Sequence, residues 1–267
     1  MATVVGMGLA GCSWWTRPRP TPPTEIFHGI IYTCAEINME ECHGLMCLVR
    51  VDLSAPGIAL YLTPLDPDAV HRGYQYRLTD PATVLRREDL AVVVNGALFS
   101  EDSALLYRTG DLARGVQTVV AEGEASHVDP DSYMLWFEAD LAPHIEFNKP
   151  PDEALLRRAR WGIGGGAVPL WKGRVWEAAA NHEVDRRTAV GIDSGRRLLW
   201  LAVFENASSL AVARVLKEHG ARDGFLLDGG HSTSMVLGSK AARVMPGTLL
   251  GGSRPVATCF GIKAQPL

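Results

Sequence analysis

Short apolar runs separated by turn-forming residues dominate the pattern of hydrophobic and polar positions along the chain. Runs of this length, bounded by Gly, Pro, Asp and Asn, are typical of β-strands. Most of them have no helical pattern between them. They predict strands at Gly44–Leu53, Ile58–Leu62, Leu90–Val94, Gln117–Ala121, Ser132–Phe137, Val190–Asp193, Leu198–Phe204, Phe225–Asp228, Met235–Leu237 and Val256–Ile262.

Helical periodicity is clearest in Ser209–His219, where apolar residues recur on one helix face and Gly220 follows the last turn. Weaker patterns predict helices over Pro81–Arg87 and Asp152–Arg160. Many strands with few helices favour an α+β fold, with a mixed β-sheet system and a few packed helices. No repeat or linker interrupts residues 30–267, which indicates a single catalytic-type domain.

The composition is that of an ordinary globular protein, and it excludes several classes of function. A chain of 267 residues can bury a sizeable core. The net charge of −4, with no basic cluster larger than a pair, gives no basic patch for nucleic acid. No apolar run has the length of a membrane-spanning helix. We therefore expect no nucleic-acid partner and membrane contact only through a lipid anchor, while the oligomeric state does not follow.

The first 24 residues differ from the rest of the chain. A short apolar stretch, Met1 to Leu9, leads into Leu-Ala-Gly-Cys12, which resembles the lipobox of bacterial lipoproteins. No basic residue precedes this stretch, which is short for a signal peptide, so coincidence is the alternative. We expect residues 1–24 to be a signal segment and Pro-rich tether, with lipidation at Cys12. The domain at 25–267 is then exported, and is periplasmic or lipid-anchored in the bacterial envelope.

Four further cysteines bear on the compartment: Cys34, Cys42, Cys47 and Cys259. An even number fits disulfides in an oxidising compartment, although the pairing cannot be deduced from sequence. The alternative is that some are buried free thiols.

Polar residues are concentrated just after one apolar run, in residues 224–238. The run ends at Asp228, and then come Gly229, Gly230 and the polar stretch 231–234. Glycine allows a sharp turn or a close approach to a ligand, and polar groups beyond a strand end can face a cleft. We interpret this segment as a functional site, with a plain hairpin turn as the alternative.

The order of this and other segments resembles the phosphodiester glycosidase family. The matching motifs are Asn-Gly-x-x-Phe at 95–99, a Gly-rich segment ending in Lys-Gly-Arg at 172–174, Arg-Thr-Ala-x-Gly-Ile-Asp at 187–193, Leu-Asp-Gly-Gly-x-Ser-Thr-x-Met at 227–235 and Arg-Pro-Val-Ala at 254–257. The resemblance covers about residues 90–262. It implies an exported hydrolase that cleaves a sugar from a sugar-1-phosphodiester, in carbohydrate metabolism of the cell envelope.

Two departures from the family pattern affect the function. His231 stands where the family usually has a third glycine, and it adds a titratable group. In the family, Asp-Gly-Arg commonly follows the strand that corresponds to 198–203. Here Phe204-Glu205-Asn206 takes its place, and this replacement could alter the choice of substrate. A non-catalytic envelope lipoprotein that binds a glycan or a protein partner is therefore the alternative.

The chemistry of a sugar 1-phosphodiester suggests roles for three residues. Its leaving group is a weakly basic phosphate, so the site must hold phosphate charge, activate water and stabilise an oxocarbenium-like transition state. Asp228 is our candidate for the carboxylate that stabilises positive charge or activates water. Arg187 is the candidate phosphate ligand, because a guanidinium makes bidentate contacts to phosphate. His231 could act as an acid or base.

Further residues are candidates for binding substrate. They comprise the amide of Asn95, the backbone N–H groups of Gly229 and Gly230, the hydroxyls of Ser232 and Thr233, and the guanidinium of Arg254. Structural alternatives remain open: Arg187 could pair with Glu183 or Asp185, Asn95-Gly96 could form a tight turn, His231 could be a peripheral turn residue, and Asp193-Ser194-Gly195 could form a hairpin turn.

No cofactor is predicted with certainty. A divalent cation is compatible with the oxygen ligands of Asp228 and Asn95, but no ligand spacing demands a metal. Gly162-x-Gly164 resembles a dinucleotide fingerprint, yet no helix can follow it, because Pro169 and Gly173 come too soon. A serine hydrolase using Ser232 would need a strand-to-helix turn, whereas Met235–Leu237 is predicted as a strand.

Overall fold

The computed structural model of the chain describes residues 18–100, 107–129, 133–146, 151–166, 170–177, 181–195, 197–244, 249–251 and 254–267. Cys12 and most of the predicted signal segment lie outside these ranges. The described residues form mainly β-sheet, together with four α-helices: α1 (Pro67–Val70), α2 (Pro81–Arg87), α3 (Glu153–Arg158) and α4 (Ser209–Glu218).

The strands are mostly short. In chain order they are β1 (Thr21–Phe27), β2 (Ile30–Met39), β3 (Cys42–Asp52), β4 (Ala59–Leu62), β5 (Tyr76–Arg77), β6 (Val92–Asn95), β7 (Phe99–Ser100), β8 (Leu112–Gly115), β9 (Val119–Ala121), β10 (Glu124–Ala125), β11 (Tyr133–Phe137), β12 (Pro143–Glu146), β13 (Trp161–Gly165), β14 (Leu170–Trp171), β15 (Arg174–Val175), β16 (Asp185–Ile192), β17 (Leu198–Ala207), β18 (Asp223–Leu226), β19 (Ser234–Leu237), β20 (Leu249–Gly251) and β21 (Cys259–Lys263).

Four sheets organise these strands. The eight-stranded sheet has the order β1-β2-β3-β17-β16-β18-β14-β15, and one five-stranded sheet has the order β20-β19-β6-β21-β4. The other five-stranded sheet is β10-β9-β13-β11-β12, and the smallest is β5-β8-β7. The pairings that flank the centre of the large sheet are antiparallel, as are those of β6 with β19 and β21. The fold is therefore an antiparallel β assembly with helices packed on its outer faces.

The largest core cluster lies where the inner faces of the eight-stranded and both five-stranded sheets meet. It contains Val190, Phe225, Phe260 and Leu135, all fully buried, which come from all three sheets. A second cluster covers the opposite face of the eight-stranded sheet, where α4 packs its apolar side. Because side chains alternate along a strand, neighbouring residues of β16 face different clusters: Val190 the inner one and Ala189 the outer one.

Helix α4 is built as its sequence pattern predicts. The Ser208 hydroxyl caps it by accepting a hydrogen bond from the Ala211 N–H at 3.1 Å. Leu210, Val212, Val215 and Leu216 are all buried. The prediction for this helix is thus confirmed to within one residue, and α2 is found with the predicted bounds.

The proline-rich tract is partly sheet rather than tether. β1 begins at Thr21, so residues 21–24 pair with β2 at the sheet's edge, with a register irregularity at Thr24. Proline has no N–H to donate, and edge strands tolerate it. The part of the predicted tether up to residue 17 lies outside the described residues.

The four predicted disulfide candidates are buried thiols that form no disulfide with one another. Cys34 and Cys47 lie opposite each other on β2 and β3, and the Tyr32 hydroxyl donates to Cys47 Sγ at 3.2 Å. Burial raises the pKa of the Cys42 thiol to about 11. The free-thiol alternative therefore holds in this structure. Within the described part of the chain, no helix has the length and apolar character needed to cross a membrane.

Candidate functional site

Asp228 lies on a crossover between two sheets. β18 ends at Leu226 in the eight-stranded sheet, whereas β19 begins at Ser234 in a five-stranded sheet. The connection contains one 3₁₀ turn, Gly230–Ser232, and Gly230 has a φ of 56°, in the left-handed region that favours glycine. The plain hairpin is therefore wrong for this segment, because the two strands do not pair with each other.

The backbone of Asp228 is fixed at both of its polar groups. Its N–H donates to the Gly96 carbonyl at 3.1 Å, and its carbonyl accepts from Asn95 Nδ2 at 2.6 Å. The Asn-Gly motif and the Asp-Gly-Gly motif, far apart in sequence, are thus hydrogen-bonded neighbours. This leaves the Asp228 side chain attached to a rigid backbone.

The side chain of Asn95 joins three segments of the fold. Its Oδ1 accepts from the Thr188 hydroxyl at 2.6 Å and from the Ser234 N–H at 3.0 Å, in addition to the bond that Nδ2 donates to Asp228. The residue is 0% exposed. All three hydrogen bonds go to protein atoms, so Asn95 holds β6, β16 and the Asp228 crossover together.

The Asp228 carboxyl is partly buried, and its Oδ1 accepts from the Gly229 N–H at 2.9 Å. Burial raises its pKa above the ordinary value, while the Ser232 hydroxyl, the charge of Arg254 and the Gly229 N–H act in the opposite direction. The Ser232 hydroxyl lies close enough to lower this pKa, yet it does not meet the geometry of a full hydrogen bond. Such a carboxyl, with a raised pKa beside a cation, is typical of a functional site.

Arg254 is the cation that acts on Asp228. Its guanidinium carbon lies 3.2 Å from the ring centroid of Tyr107 and 5.6 Å from that of Phe99. Its Nε is buried and has no hydrogen-bond partner. The two aromatic rings therefore hold the guanidinium in place through ring contacts, while Nε keeps its hydrogen-bond donor.

Three hydroxyls on the crossover are also buried without a partner: Ser232 Oγ, Thr233 Oγ1 and Ser234 Oγ. Buried polar atoms nearly always have partners, so each unpaired group calls for an explanation such as a water or a ligand. The prediction named Ser232 and Thr233 as substrate ligands but not Ser234. Ser234 begins β19, whose four residues are all buried, so its sequence context is that of a core strand and not of a site.

Arg187 lies on the other side of the sheet from the Asn95–Thr188 hydrogen bond. Its side chain points to the outer face of the sheet, as that of Ala189 does. The side chain of Thr188 points to the inner face, as that of Val190 does. Its Nε donates to the Ala207 carbonyl at 3.2 Å, and its Nη2 donates to the Glu183 carbonyl at 2.8 Å.

The same arginine lies against the crossover. A Cβ placed on Gly229 would come within 3.6 Å of Arg187 Nη1. Arg187 thus lies beside the Gly229 backbone, on the outer face of the sheet. Two of the N–H donors of Arg187 are already bonded to carbonyl oxygens of the protein. Arg187 is bonded to the backbone carbonyl of Glu183, whereas the predicted ion pair would have used the Glu183 carboxylate.

The remaining predicted residues occupy peripheral positions. His231 is exposed on the 3₁₀ turn. Asp193 makes the predicted hairpin turn, because its carboxylate accepts from the N–H groups of residues 195, 197 and 198. The Glu205 carboxylate accepts from the Leu45 N–H at 2.9 Å, so the segment that departs from the family pattern helps tie β17 to β3.

The described residues contain no group of three or more His, Cys, Asp or Glu side chains arranged to hold a metal ion. The oxygen-rich set around Asp228 is made of hydroxyls and one carboxylate. These groups can act on a substrate through charge and hydrogen bonding, and we assign no step to a metal ion.

Comparisons with known proteins find one family model and several solved structures that are similar to this chain. A model of the phosphodiester glycosidase (NAGPA) family matches residues 88–263. Zebrafish N-acetylglucosamine-1-phosphodiester alpha-N-acetylglucosaminidase, as a catalytic domain auto-inhibited by its pro-peptide, has a similar structure. Its TM-score is 0.63 at 16% identity, with 88% of this chain and 83% of that chain covered.

Two bacterial structures are also similar. A hypothetical protein from Synechocystis gives a TM-score of 0.59 at 16% identity, covering 89% of this chain and 62% of that one. A Burkholderia pseudomallei protein provisionally assigned as exported gives 0.56 at 13% identity, covering 82% and 73%. A search of curated protein sequences gives no match. At these identities the structural likeness establishes the fold alone.

Proposed function

The chain belongs to the phosphodiester glycosidase family, and we propose that it is a hydrolase that cleaves a sugar from a sugar-1-phosphodiester. The bond that breaks joins the anomeric carbon to the phosphate oxygen. Water supplies the oxygen for the released sugar, and the phosphate leaves as a monoester.

The observation that carries this proposal is a carboxyl, Asp228, that feels the charge of Arg254 on a crossover whose three hydroxyls are buried without partners. The charge of Arg254 acts on the Asp228 carboxyl, and its Nε is buried without a partner. One site thus offers a carboxylate for the sugar side of the scissile bond and a cation for the phosphate side. A sugar 1-phosphodiester presents the complementary charges as its transition state forms.

In this proposal Arg254 takes the leading role in holding the leaving phosphate. Its Nε is buried without a partner, and bidentate binding to phosphate oxygens is the geometry that arginine favours. The hydroxyls of Ser232 and Thr233, with the backbone N–H groups of Gly229 and Gly230, supply neutral donors to the same group.

Asp228 faces the sugar. As a carboxylate it stabilises the positive charge that develops at the anomeric carbon, or it accepts a proton from the attacking water. The phosphate leaving group is weakly basic, so strong protonation of the departing oxygen is not required. His231 is exposed on the neighbouring 3₁₀ turn, and its role as an acid or base stays a prediction.

The other two predicted residues act through the backbone in this scheme. Asn95 is buried and positions the Asp228 carbonyl. Arg187 supports the Gly229 backbone from the outer face, since two of its donors are bonded to carbonyls. Its direct contact with phosphate stays a prediction.

Export and anchoring belong to the proposal as well. The lipobox-like sequence before Cys12 supports lipid anchoring, and one structurally similar protein is provisionally assigned as exported. An anchored enzyme of this kind would meet glycans of the cell envelope, whose phosphodiester linkages would be its substrates.

Two alternatives are less well supported. A non-catalytic glycan-binding lipoprotein could keep the same fold, but it would not need a carboxyl with a raised pKa beside an arginine. A serine hydrolase using Ser232 would need a helix after the nucleophile, whereas the strand β19 follows and Ser232 is 2% exposed.

The test is to incubate the purified protein with methyl phosphodiesters of glucose, N-acetylglucosamine and mannose, in both anomeric forms. We expect release of the free sugar and methyl phosphate from at least one of them. Release from none, by a folded protein that still binds them, would favour the non-catalytic alternative.

A further inference from the structure

A second cleft lies at the far end of the strands that carry the candidate site. It is an open cleft of about 100 Å³ lined by Ile145, Trp171, Lys172, Ile192, Asp193, Ser194, Arg222 and Asp223. Ile192 pairs with Asp223 at this end of β16 and β18, whereas Asp228 follows the opposite end of β18. Five residues of extended chain put about 16 Å between the two places.

The two carboxylates of the cleft are already used by the protein. Asp193 accepts from three backbone N–H groups of its own turn. Asp223 Oδ1 accepts from the Lys172 N–H, and Asp223 Oδ2 lies 4.0 Å from Arg222 Nε, at the outer limit of an ion pair. Neither carboxylate is therefore set up to receive a cation from outside.

The two cations retain donors for a ligand. Lys172 Nζ lies 5.4 Å from the ring centroid of Trp171, and among the described residues it has no carboxylate partner. The Arg222 side chain is 47% exposed. The donors that remain in the cleft thus belong to its two cations, while its two carboxylates are bonded to backbone N–H groups.

The hairpin that presents Trp171 and Lys172 turns through two residues in the left-handed conformation. Lys172 has a φ of 50° and Gly173 a φ of 73°, so a lysine occupies a left-handed position that favours glycine or asparagine. The Gly173 N–H donates to the Arg222 carbonyl at 2.8 Å, which docks the turn onto β18.

The apolar part of the lining suits a sugar ring. Ile145 and Ile192 form a nonpolar floor, and the Trp171 indole offers a flat face against which the C–H side of a sugar can pack. An aromatic ring, an apolar floor and two cations fit a saccharide that carries negative charge. None of these residues takes part in the proposed hydrolysis.

We propose that this cleft is a second saccharide subsite, which binds a phosphorylated sugar unit of the glycan whose phosphodiester is cleaved at Asp228. The part of this proposal that concerns the cleaved glycan rests on the proposed function. Binding in the cleft can nevertheless be measured without any cleavage. A distance of about 16 Å matches a few units along an extended chain, so one glycan could occupy both places.

The test uses glucose 6-phosphate, which has no phosphodiester at its anomeric carbon and cannot be hydrolysed in this way. Calorimetry with the full protein is expected to detect binding that survives Arg254→Ala, with glucose binding at least tenfold more weakly. Lys172→Gln with Arg222→Gln, or Trp171→Leu, is expected to weaken the binding at least tenfold. Arg174→Gln and Trp176→Leu are matched controls on the same hairpin and beyond it, and they should change the affinity less than twofold.

Retained affinity in the folded Lys172, Arg222 and Trp171 variants would overturn the proposal, and so would equal binding of glucose. Absence of binding to the wild type would overturn it too. Loss of sugar release with binding intact would count against the proposed hydrolysis and leave the cleft standing. Thermal melting of each variant identifies those that have failed to fold. The conservative variant Lys172→Arg keeps the positive charge and should keep the affinity of the wild type.

Discussion

The side-chain amide of Asn95 donates a 2.6 Å hydrogen bond to the backbone carbonyl of Asp228, which lies 133 residues further along the chain. The same amide group accepts from Thr188 and from the backbone of Ser234. A single buried side chain thus connects strand ends from two sheets at the place where the candidate catalytic carboxylate emerges. The position of that carboxylate depends on this connection.

Removing the Asn95 side chain should destabilise the protein strongly. Asn95→Ala leaves one carbonyl, one hydroxyl and one N–H buried without partners, and each costs about 1–3 kcal/mol. We expect a loss of about 3–5 kcal/mol in the free energy of unfolding, measured by urea denaturation.

A milder change keeps this prediction testable if Asn95→Ala does not fold. Thr188→Val removes one of the three hydrogen bonds and should cost about 1–2 kcal/mol. Thr83→Val, on the exposed side of α2, is the control and should stay within about 0.5 kcal/mol. Equal stability of the Thr188 and Thr83 variants would contradict the structural role of Asn95.

Asp228 should make the folded protein less stable at neutral pH. Burial raises its folded pKa, so the folded state favours the protonated form. The stability that protonation gives is fully present below the unfolded pKa of about 3.8 and is lost as the pH rises through the folded value. Asp228→Asn is therefore expected to be more stable than the wild type at pH 7, and the gap should narrow as the pH falls toward 4.

The control for this comparison is Asp140→Asn, which changes an exposed carboxylate in a turn. Its difference from the wild type should be small and nearly constant over the same pH range. A gap between Asp228→Asn and the wild type that is absent or independent of pH would show that burial does not perturb this carboxyl.

Arg254, more than Arg187, should determine how tightly the phosphate is held. Arg254→Ala removes the cation beside Asp228 and should lower kcat/KM by about 10²–10³-fold, as loss of a charge-stabilising donor does. Its positive charge lowers the pKa of Asp228, so the acidic limb of the pH profile should move to higher pH. Arg254→Lys keeps the charge and should leave that limb nearly in place.

Arg187→Ala provides the comparison between the two arginines. It breaks hydrogen bonds to two carbonyls, so we expect a loss of stability with a change in KM of less than about tenfold. Thermal melting and steady-state kinetics on the same preparations separate the two effects. A larger rise in KM for Arg187→Ala than for Arg254→Ala would return the phosphate role to Arg187.

Lipid anchoring can be tested independently of catalysis. Expression of the full chain in a bacterium supplied with labelled palmitate should yield a labelled, membrane-associated protein, because Cys12 follows a lipobox-like sequence. Cys12→Ser should abolish the label, while Cys259→Ser, at a buried thiol, should retain it. Equal labelling of both variants, or none in the wild type, would contradict the anchor.

Much of the strand and helix pattern follows from local sequence. Strand β4 and helices α2 and α4 are found within a residue or two of the predicted bounds, because their apolar spacing and flanking caps are local signals. Strand β16 begins five residues earlier than its predicted start, because its first residues, Asp185 to Thr188, include charged side chains that hide the extended pattern. Strand β18 ends at Leu226, before the predicted end at Asp228.

The motif order also identifies which segments meet at the site. It does not reveal which face of each strand a side chain takes. Arg187 and Thr188 are neighbours in one motif, yet they point to opposite faces of the sheet. One is bonded to outer carbonyls and the other to Asn95. The phosphate role predicted for Arg187 depended on a direction that only the register of β16 determines.

Contacts between distant segments are the part that sequence could not supply. The Arg254 guanidinium is held by Tyr107 and Phe99, which come from about 150 residues earlier in the chain. Gly96 is required because a Cβ there would lie 2.3 Å from Thr258 Oγ1, a contact that no local turn pattern contains. Both features follow from tertiary packing.

The most direct test of the account is the rate of sugar release from a methyl phosphodiester by the wild type, Asp228→Asn and Asp140→Asn. We expect Asp228→Asn to remain folded and to lose at least about 10²-fold in kcat, since it removes the charge that the transition state needs, while Asp140→Asn keeps the wild-type rate. Full activity in Asp228→Asn would contradict the assignment of this carboxylate as the catalytic group.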